Sequence, residues 1–213
     1  MCSSDLLVLD VDDAIADWQR RTRDMATDPE GAAALADEVL DLAAREPDLL
    51  SREVVAQARV ERAVANLRRA TAPGAARGSR LWDLARGDVE QASCVPAAAD
   101  DARLAACRAA LLVRDGAAPQ ALDVVTAQLA RDLRPEDKLI MHVRRGDALA
   151  LTGAHDADAD YLAAISLGRR TGLRDVDIAT LHWKRATALD GRDDLDAARG
   201  ERVIGRASCR ERV

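Results

Sequence analysis

The densest chemistry in this chain is a run of alternating carboxylates. In Gly153-Ala154-His155-Asp156-Ala157-Asp158-Ala159-Asp160 an acid stands at every second position from Asp156, the spacing from which a calcium loop draws its oxygen ligands. Such a loop also needs Gly where Tyr161 stands and a closing Glu where Leu167 stands. Acids in the first turn of a helix offset the positive end of its dipole, which explains the same residues without a metal. His142, His155 and His182 lack the i, i+4 spacing of a helical zinc pair, and no Cys lies near them in sequence. Among Cys2, Cys94, Cys107 and Cys209 there is no C-x-x-C pair; Cys94 and Cys107 are expected as small buried thiols in a reducing compartment rather than as a disulfide. No His accompanies a Ser or Cys in a recognisable nucleophile motif. No metal or cofactor is expected. Asp10 and Asp12 follow the apolar Leu7-Val8-Leu9, yet a helical face continuing through Ile15 to Trp18 accounts for them too.

The stretch Leu7-Val8-Leu9-Asp10-Val11-Asp12-Asp13-Ala14-Ile15 also resembles the first motif of haloacid-dehalogenase-like phosphohydrolases, an apolar strand ending in Asp-x-Asp. That resemblance implies Asp10 as nucleophile and Asp12 as acid/base, with Mg²⁺ neutralising their charge during phosphoryl transfer. Ala14 stands where that motif has Thr or Val, and no strand with a later Lys and paired Asp follows. The helix is the preferred reading and the hydrolase the alternative. Arg145-Gly146-Asp147 matches a short cell-adhesion motif, but it falls mid-helix, where Gly146 is expected between helices and the motif out of reach.

The elements that hold these groups read as helices throughout. Leu7, Val11, Ile15, Trp18, Thr22 and Met25 recur at steps of three and four, predicting a helix to about Asp24. Thr27-Asp28-Pro29-Glu30 reads as a cap with Pro just inside the next helix, which carries Leu35, Val39 and Leu40 and stops before Pro47. A long pattern runs from Asp48 to about Thr71, where Ala72-Pro73-Gly74 breaks it. A short helix through Leu81 and Val89 follows, ended by Ser93-Cys94-Val95-Pro96. Then come Ala102 to Arg114, Gln120 to Leu133, Pro135 to Leu151, a helix holding Tyr161 to Ile165, Asp175 to Leu189, and a last one resuming at Leu195. Ile140, Val143 and Leu151 are expected on one buried face, as are Ile178, Leu181, Ala186 and Leu189. Period-2 alternation is absent, so no strand is predicted.

Both ends stand apart. Met1 to Leu6 and Ile204 to Val213 can be back-translated into strings that resemble a pair of sequencing adapters, so residues 1–6 and 204–213 are expected to be artefactual and 7–203 to be an internal piece of a longer protein. Without those ends 28 basic and 35 acidic side chains remain. An acidic surface of this kind does not attract nucleic acid or anionic lipid, and no apolar run reaches the ~18 residues of a membrane span. A cytoplasmic location is expected.

Helix pairs that cannot bury an apolar stripe alone cover one another when stacked. Gly116, Gly153 and Asp193 mark turns 37 and 40 residues apart. Gly146 and Gly153, with Ala164-Ile165; Ala109, Gly116 and Ala121, with Leu129; and Ala186, Leu195 and Ala198 together resemble tetratricopeptide repeats, most clearly over residues 98–199. The segment 48–92 fits the pattern poorly. The resemblance implies an all-α, right-handed solenoid of antiparallel helix pairs acting as a protein-binding scaffold or regulatory module without catalysis of its own. In bacteria such arrays often flank an effector domain. It further implies that first helices line a concave groove for a protein or peptide ligand, which counts Arg103, Asp147, Trp183 and Thr187 toward it.

Overall fold

The structure, a computed structural model, describes residues 11–24, 28–72, 79–154, 156–191 and 195–210. Among these residues there are ten α-helices and no strand. They are α1 Val11–Asp24, α2 Pro29–Arg45, α3 Arg52–Thr71, α4 Ser79–Ser93, α5 Ala102–Arg114, α6 Ala118–Leu129, α7 Pro135–Thr152, α8 Ala157–Thr171, α9 Asp175–Asp190 and α10 Leu195–Arg210, with a 3-10 turn at Pro96–Ala98. Two compact units divide at Cys107/Arg108.

In the first unit α2 packs on α3 and α3 on α4. Asp28 caps α2 by accepting from the N–H groups of Glu30 (3.1 Å) and Gly31 (3.0 Å), as its position before Pro29 predicts. The next helix begins at Arg52 rather than Asp48, because the Ser51 hydroxyl caps it by accepting from the Val54 N–H at 3.3 Å. Leu49 N–H instead bonds the Glu46 carbonyl in the preceding turn. Trp18, Leu35 and Ala58 form a buried cluster on three helices, joined by Val39 and Leu40. Asp10 lies outside the described residues. Asp12 falls within α1 rather than at the end of a strand.

In the second unit each helix from α6 to α10 packs on the next. Leu139 of α7, Ala164, Ile165 and Leu167 of α8, and Ile178 and Leu181 of α9 share one buried cluster. The α7–α8 turn needs Gly153, whose φ of +69° lies in the left-handed region that side chains with a Cβ disfavour. Two expectations fail here. Leu151 is exposed rather than buried, because the buried arc of α7 runs through Leu139, Met141, Gly146 and Ala148. Leu133 lies beyond α6, which starts two residues early, at Ala118, and ends at Leu129.

A burial register recurs along the chain. Ala63, Ala109, Gly146 and Ala186 are buried on first helices, and an arginine precedes each of them: Arg62, Arg108, Arg145 and Arg185. On second helices the buried positions fall at steps of three and four, as Ala85, Asp88 and Ala92; Ala118, Ala121 and Val125; Ala157, Asp160 and Ala164; and Ala198, Glu201 and Gly205. Small side chains at these steps let helices approach closely. The α3–α4 hairpin shares the register despite its poor fit in sequence, where residues 72–78 lengthen the connection and hide the spacing. Gly205, within the stretch that resembles an adapter, lies 3.5 Å from His182 Cβ, measured from the position of an added Cβ.

Candidate functional site

The residues expected to line a groove converge only in part. Arg103, in the first unit, bonds Glu61 and Asp101, the latter at 3.2 Å. Burial alone would lower its pKa, but the charges of Glu61 and Asp101 reverse that and raise it. Its donors are thus engaged within its own unit. The other three lie in the second unit, on α7 and α9.

Asp147 is a hub between successive first helices. Its carboxylate accepts from the Tyr161 hydroxyl of α8 at 2.9 Å and from Arg144 at 3.4 Å, and it pairs with Lys184 of α9. The Lys184 ammonium also lies 5.9 Å from the centre of the Tyr161 ring, within cation–π range. Burial, with the Asp147 charge and hydrogen bond added to it, holds the Tyr161 phenol far above its ordinary pKa, so it stays a hydrogen-bond donor. Asp147 therefore directs its carboxylate to partners on α7, α8 and α9.

Trp183 and Thr187 occupy one face of α9, one turn apart. Trp183 is 58% exposed. The Arg202 guanidinium of α10 sits 5.8 Å from the Trp183 ring centre and pairs with Asp190, one further turn along α9. The Thr187 hydroxyl donates to the Trp183 carbonyl at 3.1 Å, and the largest exposed group on this face is the indole, with the Arg202 guanidinium against its ring. Sequence reasoning missed Tyr161, Lys184 and Arg202, although Lys184 stands 37 residues after Asp147, the same step that separates Gly116 from Gly153.

Two further polar clusters are absorbed by the packing. His142 Nδ1 lies 2.8 Å from Asp160 Oδ1, and Arg145 bonds both oxygens of that carboxylate at 2.7–3.0 Å. Forty residues on, His182 Nδ1 lies 2.5 Å from Glu201, which also accepts from Arg185 at 2.5 Å. Burial by itself would raise the Asp160 pKa, but the hydrogen bonds from His142 and Arg145 outweigh it and hold the carboxyl below its ordinary value. Asp160, the last acid of the alternating run, is thus committed to its own fold. His155 lies outside the described residues. Among the described residues no three His, Cys, Asp or Glu side chains converge as a metal site, and no helix is long and apolar enough to cross a membrane.

Cys107 is buried as expected, but Cys94 is exposed, because it lies just past the end of α4, where its thiol donates to the Glu90 carbonyl at 3.4 Å. Gly146 is buried in mid-helix, and a Cβ there would stand 2.8 Å from the Tyr161 ring. Arg145 and Asp147 beside it are both bonded within the unit.

Comparison with protein-family models, with curated proteins and with solved structures gave no significant match.

Proposed function

We propose that this chain is a protein-binding module, a right-handed solenoid similar to tetratricopeptide arrays, serving as a scaffold or regulatory part of a larger cytoplasmic bacterial protein. Support comes from the recurring register of Arg and small residue on first helices, with small-x-x-acid on the second helices α4, α8 and α10 and Ala118-x-x-Ala121 on α6, and from the packing of consecutive helices within each unit. The observation that carries the binding role is Trp183. A half-exposed indole with a guanidinium over its face brings together two of the residue types enriched at binding hot spots.

The test is Trp183→Ala on the full chain. Peptides selected from a displayed library against the wild-type protein should lose about thirtyfold or more in affinity, the ~2 kcal/mol of an anchoring side chain. The melting temperature should stay within about 2 °C, as for a surface substitution. Unchanged affinity removes the site; a large fall in stability marks Trp183 as core.

A further inference from the structure

The first unit contains a groove of about 410 Å³ between α2, α3 and the end of α4, a size within the ~300–1,000 Å³ usual for small-molecule sites. Most of its lining side chains are apolar, with Leu40, Pro47, Leu50 and Val55 among them, and Gln91 lies beside them. Two arginines share the wall. Arg52, Val55, Ala56 and Arg59 fall at i, i+3, i+4 and i+7, one face of α3, so both guanidinium groups border the same groove. No acidic residue lines it.

Arg59 is the informative one. Its side chain is only 25% exposed, and its nearest carboxylate oxygen, on Asp88, lies 3.9 Å away, too far for a hydrogen bond. Asp88 is already held by Arg62, which donates to both of its oxygens at 2.7 and 2.8 Å. A partly buried arginine whose ion pair to Asp88 is no shorter than 3.9 Å, bordering a largely apolar trough, is complementary to a molecule with an apolar body and one carboxylate.

We propose that this groove binds a linear acyl carboxylate, with its chain along Leu40, Pro47, Leu50 and Val55, its carboxylate on Arg59, and Arg52 at the rim. The driving terms are burial of the chain and a charge-assisted hydrogen bond. The reading does not depend on the α9 surface.

Decanoate, below its micelle threshold, is the probe for calorimetry on the full chain. Saturable binding at one site is expected, with decanol and decyltrimethylammonium at least about tenfold weaker because neither satisfies Arg59. Arg59→Gln should weaken decanoate by about ten- to a hundredfold, and exposed Arg52→Gln by less. Ala44→Leu fills the groove from a solvent-facing position and should abolish binding with the thermal melt intact, so the outcome does not rest on Arg59 alone. Cys94 also lines the groove. In a Cys2→Ser/Cys209→Ser background, decanoate should slow its reaction with a thiol reagent. Absence of saturable binding, equal affinity for decanol, or an unprotected Cys94 overturns the proposal.

Discussion

Gly146→Ala separates helix propensity from packing. In an open helical position that substitution stabilises by about 1 kcal/mol, because alanine loses less conformational freedom on folding. At Gly146 the new methyl would stand 2.8 Å from Tyr161 Cε1, 3.0 Å from Cζ and 3.1 Å from Cδ1, well inside the ~3.5–4.0 Å of an ordinary carbon contact. The ring cannot swing aside cheaply. Tyr161 is 3% exposed and its hydroxyl is tied to Asp147. Overpacking of this kind costs about 1–3 kcal/mol, which cancels or exceeds the propensity gain. Gly87, mid-helix in α4, has nothing within 4 Å of an added Cβ and serves as the matched control. Gly87→Ala should stabilise, Gly146→Ala should not, and the difference between them isolates the contact at about 1–3 kcal/mol. At about 2–4 °C per kcal/mol for a chain of this size, thermal melts followed by circular dichroism resolve it. Trp183, the one tryptophan after residue 108, reports the second unit by fluorescence. Gly146→Leu should destabilise further, and Tyr161→Leu should make Gly146→Ala neutral or better. Equal stabilisation by both alanines would refute the close approach and the helix register built on it.

Asp160 links stability to pH. Its folded pKa lies below the unfolded value, so its contribution is complete above about pH 4 and is lost as pH falls through the folded pKa. The stability gap between wild type and Asp160→Asn should therefore shrink on acidification below about pH 4 in urea titrations, and a constant gap would contradict the assigned bonds. Arg62→Met strands Asp88, which is 2% exposed, and should cost up to about 3 kcal/mol, tempered by nearby Arg59, whereas Arg62→Met/Asp88→Leu should recover most of it. A double variant no better than the single would show that the pair is not the cause. In the native protein Cys94 should react with a thiol reagent promptly and Cys107, 3% exposed, only on unfolding; equal rates would contradict their placement.

Most helices of this protein are legible in its sequence because their signals are local. Asp28-Pro29 starts α2, Gly153 stops α7, and Ile178, Leu181, Ala186 and Leu189 repeat at helical spacing, so capping chemistry and periodicity suffice. The start of α3 was misplaced because Asp48 and Ser51 are both able to cap, and only the path of the chain after Pro47 selects Ser51. Leu151 and Cys94 were expected inside by residue type, yet exposure depends on which neighbouring helix covers a position, and that is a tertiary fact. The same holds for the polar residues. His142 and His182 carry no recognisable motif until α8 and α10 bring Asp160 and Glu201 against them, and Asp147 looks like an open groove residue until Tyr161 and Lys184 close on it. Sequence spacing along one helix determines which side chains share a face. Which carboxylate meets which cation is decided between helices, where residues 12 to 42 apart in the chain form ion pairs.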